Sequence, residues 1–165
     1  MGIEFTMWQI TTEEIDKFME LEETINDFVE SQFPETYDDD FEDNALSLDR
    51  IWHLLHYLIT GEEEGEKYPL AFAIRVGHFL HESWSEMSWI APNEVRDVAE
   101  ALAVLSEEDL RKRGGEDSMS KVNIYKYPGA LSEDDFIDVL MEFNRLKGYY
   151  KDASEKGNAM LRFFH

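Results

Sequence analysis

Hydrophobic and polar residues alternate over residues 3–10, and this period of two is the pattern of a half-buried β-strand. From Thr11 onwards the hydrophobic residues recur at helical spacing through about residue 30. Thr11 and Glu14 have the spacing of a capping box, in which each side chain bonds the backbone N–H of the other residue. The pattern therefore predicts a strand followed by a long helix with one buried stripe and one acidic face.

A second predicted helix, residues 48–60, has almost no polar face. Ser47 and Asp49 are candidate N-cap residues, because short polar side chains accept bonds from the first backbone N–H groups of a helix. Gly61 is suited to end the helix, since glycine adopts positive φ without strain. A helix that is apolar nearly all round is buried. We therefore expect this helix to lie at the centre of the fold.

The second half of the chain carries the start and stop signals of three more helices. These signals are Pro92 at a first helical position, Ser106 before a short helix that Gly114 and Gly115 end, and Ser132 with Asp135 before a long helix that Gly157 ends. Residues 159–164 then predict a closing strand. The remaining segments are predicted loops or short extended pieces: 31–47, 62–67, 77–91 and 116–131.

Together these elements predict an α+β fold. We expect one helix-rich domain, residues 1–165, with a small antiparallel sheet formed largely by the N- and C-terminal strands, 3–10 and 159–164. The length of 165 residues is close to the common size of a single domain. A chain of this length buries about 70% of the surface of its unfolded form, so it folds without a metal or a disulfide.

The chain is strongly acidic, with 37 Asp and Glu residues against 15 Lys and Arg, a formal net charge of −22. Phosphate backbones and anionic membrane surfaces repel such a protein, which argues against nucleic-acid binding and membrane association. A basic protein partner would be attracted. The chain contains no cysteine, which excludes disulfides and thiolate chemistry, and no stretch has the ~18 consecutive apolar residues of a membrane span. We therefore expect a cytoplasmic protein.

Residues 48–61 read LDRIWHLLHYLITG and resemble a signature of the YfbM-like bacterial family, Leu-Asp-Lys-x-Trp-x-x-Leu-His-x-x-Leu-Thr-Gly. The first strand and further short motifs extend the resemblance over nearly the whole chain. Those motifs are Pro92-x-Glu94-Val95, Ser106-Glu107-Glu108-x-Leu110, Tyr127-Pro128-Gly129 and Gly157-Asn158-Ala159. The resemblance implies a compact α+β fold and a bacterial source. The family is catalogued as a domain of unknown function, so the resemblance implies no activity.

The candidate binding pocket consists of Asp49, Trp52, His53 and His56. On a helix these residues lie about one turn apart, so one face can hold a carboxylate, an indole and an imidazole. In the functional interpretation, His56 transfers a proton and a carboxylate orients its ring. In the structural interpretation, the histidine and the tryptophan are buried and bond backbone carbonyls. The sequence favours the structural interpretation and predicts no catalytic residue.

Two histidine pairs, His53 with His56 and His78 with His81, suggest a four-histidine zinc site. We predict that no metal binds there, because this spacing is weak evidence when one helix alone is assured. The acidic residues within 31–47 lack the glycine and the ligand spacing of a calcium loop. We also expect no cofactor, because the chain lacks the glycine-rich loops that bind nucleotides.

Two classes of function remain open. The first is a binding or regulatory module that engages a basic protein through its acidic surface, for example an immunity protein that neutralises a basic toxin. The second is a small-ligand-binding protein or a small enzyme that uses the pocket near Asp49, Trp52 and His56. An exposed His56 in a cleft would favour the second class, and a packed His56 would favour the first.

Overall fold

A computed structural model of the protein describes residues 2–32, 45–81 and 86–165. The described strands are β1 (Phe5–Ile10), β2 (Ala45–Asp49), β3 (His78–Phe79), β4 (Met87–Ile90) and β5 (Ala159–Phe164). The described helices are α1 (Thr12–Glu20), α2 (Glu22–Gln32), α3 (Trp52–Thr60), α4 (Pro92–Val104), α5 (Glu107–Arg113), α6 (Glu116–Met119) and α7 (Glu133–Lys156), with a 3₁₀ helix at Leu70–Ala73. The fold is α+β, as the sequence predicts.

The five strands form one antiparallel sheet in the order β2-β1-β5-β4-β3. The two terminal strands pair along their whole length, with Phe5 opposite Phe164 and Ile10 opposite Ala159. The prediction that the chain termini share a sheet is confirmed. Because β5 is the third of five strands, its side chains face the middle of both covering layers.

Both faces of the sheet are covered. Successive side chains of a strand point to opposite faces, so each face contributes its own set of side chains to a separate core. The larger core combines one face of the sheet with α3, α4, α7 and the 3₁₀ helix, and Met7, Leu55 and Leu146 belong to it. The smaller core lies on the opposite face under α1 and α2, and it includes Trp8 and Leu161. The prediction that helix 48–60 is central agrees with its place in the larger core, where every side chain from His53 to Ile59 is buried.

The predicted helix ends agree with the structure where local chemistry determines them. The Thr11 hydroxyl accepts a hydrogen bond from the Glu14 backbone N–H (3.2 Å), and the Glu14 carboxylate accepts one from the Thr11 N–H (2.8 Å). Ser132 caps α7 in the same way. Gly61 and Gly157 end α3 and α7 with φ of 79° and 71°. These ends are set by residues only a few positions apart.

Two predicted elements are wrong. The single helix through residue 30 is interrupted at Leu21, whose extended backbone separates α1 from α2 and lets the two helices pack against each other. Ser47 and Asp49 do not cap α3, because residues 45–49 form β2 and pair with β1. Leu46 and Leu48 are buried in the larger core, and this alternation stabilises a strand. The part of the predicted acidic loop at 33–44 lies outside the described residues.

The guanidinium of Arg162, on β5, is fully buried in the larger core's side of the sheet. It donates hydrogen bonds to the carbonyls of Phe72 and Val76 (both 2.5 Å) and to the Ser88 hydroxyl (3.0 Å). No carboxylate among the described residues lies within ion-pair distance of it. A buried charge is costly unless hydrogen bonds replace its hydration. Here backbone carbonyls of the 3₁₀ helix and of the segment after it provide that replacement.

Gly77 lies directly against this guanidinium. A side-chain Cβ at position 77 would overlap the Arg162 Nη2 atom and would lie 3.0 Å from the Trp89 carbonyl oxygen. Gly148, inside α7, is the opposite case, because a Cβ there would meet no described atom within 4 Å apart from the adjoining backbone of its own helix. Arg162 therefore requires a glycine at position 77, whereas packing does not require one at position 148.

We predict opposite effects for alanine at these two glycines. Gly77→Ala should lower the free energy of unfolding by about 1–3 kcal/mol, because the buried guanidinium or the β4 backbone must shift. Gly148→Ala should raise it by about 0.5–1 kcal/mol, because alanine favours a helix interior over glycine. Urea unfolding of both variants beside the parent measures the difference. Equal stability of Gly77→Ala and the parent would show that the contact with Arg162 is loose.

Candidate functional site

Trp52, in the first turn of α3, connects this helix to the N-terminal segment. Its indole N–H donates a hydrogen bond to the Ile3 carbonyl (3.0 Å). Its ring lies edge-on to Phe164 (4.9 Å between centroids) and stacks on His53 (5.2 Å). The polar atom of the indole is therefore satisfied within the protein, and the ring packs against the end of β5.

The hydrogen bonds of His53 determine its tautomer. The Tyr125 backbone N–H donates to Nδ1 (3.1 Å), so Nδ1 carries no proton. The opposite nitrogen, Nε2, then carries the proton and donates it to the Glu63 carbonyl (3.3 Å). His53 is thus a neutral imidazole that joins α3 to the loop that follows it and to a segment far along the chain. Both ring nitrogens are occupied by backbone partners.

His56 lies deeper, with 1% of its surface exposed. Its Nε2 lies 3.1 Å from the Gly65 carbonyl, so Nε2 is the donor. Its Nδ1 is buried and has no hydrogen-bond partner in the described chain. Burial, with a smaller contribution from the nearby charge of Arg75, lowers the pKa of His56 to about 4. The ring is therefore neutral at pH 7.

Asp49 does not join these rings. It is the last residue of β2, has φ of 43° and is exposed, and its carboxylate accepts a hydrogen bond from the Ser47 hydroxyl (3.3 Å). No hydrogen bond connects Asp49 to His53 or His56 in the described chain. The structure thus brings Trp52 and the two histidines onto one helix as connecting residues and leaves the carboxylate on the surface.

The four histidines of the considered zinc site bond separate partners. His78 pairs with Glu94 (2.7 Å), and His81 bonds the Phe18 carbonyl (3.0 Å). His53 and His56 bond the carbonyls of the 63–65 loop. In residues 2–32, 45–81 and 86–165, no three side chains of metal-ligating type converge.

A second cluster of polar and aromatic residues, which the sequence did not predict, lies on the surface beside the N-terminal turns of α4. We call it the aromatic–acid surface, and it consists of Tyr68, Phe72, His78, Trp89, Glu94 and Asp97. The Tyr68 hydroxyl donates to the Asp97 carboxylate (2.6 Å), and His78 bonds Glu94 (2.7 Å). The rings of Tyr68 and Phe72 meet edge to face at 4.9 Å, and those of His78 and Trp89 lie 5.2 Å apart.

The two carboxylates of this surface lie three residues apart on α4, on the same side of the helix. The second oxygen of Glu94 accepts the Ala91 backbone N–H (2.7 Å), so the residue also caps the helix. Donation to Asp97 raises the pKa of Tyr68 to about 12, because the bond is lost when the phenol ionises. Tyr68 is 44% exposed, and His78 is also exposed. The Tyr68 and His78 rings are thus available to solvent and the Asp97 side chain is 33% exposed, whereas the Glu94 side chain is only 14% exposed.

Arg162 connects this surface to the core. Its bonds to the Phe72 and Val76 carbonyls fix the segment that leads from the 3₁₀ helix to His78. The Tyr150 hydroxyl, from α7, bonds the Ala73 carbonyl (2.7 Å) and supports the same segment. The aromatic–acid surface is therefore held in place by the buried layer beneath it.

The sequence signal for this surface is weak, since its residues come from three separate segments. The spacing from Ala91 to Glu94 resembles a capping box, but alanine at the cap position has no hydroxyl to complete it. The aromatic residues near Tyr68 and Trp89 could equally close a core under a loop. Only the tertiary structure brings Tyr68 and Phe72 next to the residues of α4.

The fold and these clusters define an α+β protein whose antiparallel sheet is packed on both faces. The sequence profile of a family described as "Domain of unknown function (DUF1877)" matches residues 1–163, so the chain belongs to that family. A solved structure described as a protein of unknown function, YfbM from Escherichia coli, is similar to it, with a TM-score of 0.70 and 22% identity over 99% of both chains. This likeness supports the YfbM-like fold. No curated protein matches the chain.

No helix of the described chain is long and apolar enough to cross a membrane.

We predict that His56→Gln makes the protein less sensitive to acid. Between pH 6.5 and 4 the unfolded chain protonates this histidine while the folded protein does not, so stability falls as pH falls through this window. The difference in pKa corresponds to about 3 kcal/mol at pH 4. Urea unfolding at pH 7 and pH 4 should show the variant gaining about that amount relative to the parent on acidification. If the parent and the variant lost the same stability between pH 7 and pH 4, the lowered pKa of His56 would be contradicted.

Proposed function

We propose that this protein is an intracellular binding module that engages a basic protein partner through its acidic surface. The observation that carries the proposal is the uneven distribution of charge. Residues 12–44 contain fourteen Asp and Glu residues and one basic residue, Lys17, so a fifth of the chain holds thirteen of its 22 net negative charges. Solubility alone does not require such a concentration.

The described part of this segment is the helix pair α1 and α2. Its apolar side, with Ile15, Phe18 and Ile25 buried, packs on the smaller core. The acidic side chains of both helices face outwards and are exposed. Met19 and Leu21 are 41% and 60% exposed among them. An acidic face that also exposes apolar residues is suited to a partner that presents basic residues beside an apolar contact.

Opposite charge would act first on the rate of encounter. A concentrated negative field steers a basic protein toward the correct face and raises the association rate, an effect that salt weakens. An immunity protein that neutralises a basic toxin is one concrete form of this proposal. The absence of cysteine supports a cytoplasmic location, because disulfides are rare in that compartment.

A small-ligand or catalytic role for Asp49, Trp52, His53 and His56 is the second candidate. The unpartnered Nδ1 of His56 is the observation that favours it. Against it, His56 is buried, and the polar atoms of Trp52 and His53 already bond backbone groups. The binding-module proposal has the stronger support.

Neutralising the acidic helices should weaken binding of a basic probe more than neutralising other acids does. The probe is a synthetic amphipathic peptide of lysine, arginine and leucine. The variant removes five exposed charges: Glu13→Gln, Asp16→Asn, Glu20→Gln, Glu23→Gln and Asp27→Asn. The matched control removes five exposed charges elsewhere: Glu66→Gln, Glu100→Gln, Asp117→Asn, Asp134→Asn and Asp138→Asn. Affinity is measured by calorimetry at low and moderate salt.

We expect the α1–α2 variant to bind at least about tenfold more weakly at low salt, which is ~1.4 kcal/mol. The control should lose much less, and moderate salt should reduce the difference. Equal losses in the two variants would mean that net charge alone attracts the peptide. That result, or a parent protein that does not bind, would overturn the proposal.

A further inference from the structure

The partly exposed side chain of Arg111 shows how other side chains of this protein bind a guanidinium group. Arg111 donates two parallel hydrogen bonds to Glu133 (3.1 and 3.0 Å) and one to Glu107 (3.0 Å). Its guanidinium carbon also lies 5.1 Å from the centre of the Phe136 ring. Carboxylates around the edge of the guanidinium and an aromatic ring beside it are therefore sufficient to fix an arginine side chain on this surface.

The aromatic–acid surface contains the same components without a comparable arginine. Glu94 and Asp97 provide carboxylates, and Tyr68, Phe72, His78 and Trp89 provide rings. Among the described residues, Arg96 is the basic residue within ion-pair distance of Asp97, and its Nη2 lies 3.5 Å from the Asp97 Oδ1. The Arg96 side chain is 60% exposed. An exposed contact of this length contributes little, so it does not block an incoming cation.

The surface also adjoins the acidic helices. His81, two residues after β3, bonds the carbonyl of Phe18 in α1 (3.0 Å). Phe79, on the edge strand β3, is 66% exposed. The last turns of α1 and the aromatic–acid surface therefore flank the same short segment. A basic partner attracted by the helices would approach the rings and carboxylates next to them.

We infer that the aromatic–acid surface binds a guanidinium group through Asp97 and the neighbouring rings. This guanidinium is an arginine side chain of the basic partner, an assignment that rests on the proposed function. Guanidinium fits better than ammonium, because it is planar, weakly hydrated and able to stack on a ring while its edge donates to carboxylates. Asp97 Oδ1 is the partner for that edge, and Glu94 orients the His78 ring beside it through their hydrogen bond.

The test uses N-acetyl-arginine amide as the probe and N-acetyl-citrulline amide as its uncharged control of the same shape. Both are titrated into ¹⁵N-labelled protein, and chemical shifts of the Trp89 indole and the α4 amides are followed. The variants are Asp97→Asn, Tyr68→Leu and, as the matched control on the same helix, Glu100→Gln. Lysine amide tests the preference for guanidinium.

We expect arginine amide to shift the Trp89 and α4 signals in a saturable way and citrulline amide to leave them unchanged. Asp97→Asn and Tyr68→Leu should each weaken binding at least about fivefold, or ~1 kcal/mol, and Glu100→Gln less than twofold. Shifts spread over all acidic regions, or equal losses in Asp97→Asn and Glu100→Gln, would overturn the inference. So would tighter binding of lysine amide than of arginine amide.

The basic peptide of lysine, arginine and leucine distinguishes two sources of the guanidinium, an arginine side chain of a protein partner and a free small molecule. If its affinity falls when its arginines are replaced by citrulline, and this loss disappears in Asp97→Asn, a partner side chain occupies the site. If free arginine amide binds at Asp97 but the peptide does not, the guanidinium site stands and its assignment to a protein partner falls. If the peptide depends on α1 and α2 but not on Asp97, the proposed function stands and this inference falls.

Discussion

The buried guanidinium of Arg162 connects the central strand β5 to the 3₁₀ helix, to the segment after that helix and to β4. It lies on the central strand, and no carboxylate of the described chain pairs with it. Burial lowers its pKa, yet an arginine stays charged in proteins, so hydrogen bonds must replace the lost water. The carbonyls of Phe72 and Val76 do so, and this requirement fixes the path of the backbone from the 3₁₀ helix to β3. Gly77 follows as the residue without a side chain at the closest approach.

The aromatic–acid surface depends on the same constraint. Phe72 and His78 stand at the two ends of the segment that Arg162 holds, and Ser88 on β4, which it also contacts, precedes Trp89. Rings that project from a fixed backbone lose less entropy on binding than rings on a free loop. The acidic helices on the opposite face of the sheet are joined to this edge through His81 and Phe18. Long-range attraction and local recognition can thus act at the same edge of the sheet, beside β3.

The sequence predicted those features that residues near one another determine. The capping boxes at Thr11 and Ser132 and the glycines that end α3 and α7 are of this kind. The pairing of the terminal strands joins residues far apart in the sequence, and it too was predicted, from the strand pattern at each end of the chain. The strand at 45–49 was missed, because Ser47 and Asp49 are good caps and the buried alternation of Leu46 and Leu48 is short. For the candidate site, the sequence favoured a buried His56 that bonds a backbone carbonyl, as the structure has it. It could not find the aromatic–acid surface, because a buried arginine far along the chain brings its parts together.

Hydrogen exchange in an Arg162→Lys variant tests most directly whether this guanidinium organises the surface. Lysine keeps the charge, but its ammonium cannot reach both carbonyls with the fork of arginine. The account predicts that the Phe72 and Val76 amides, which bond Pro69 and Ala71 in the parent, exchange at least about tenfold faster, while Val139 and Leu146 in α7 change little. Unchanged exchange at Phe72 and Val76, or an equal increase in α7, would contradict it.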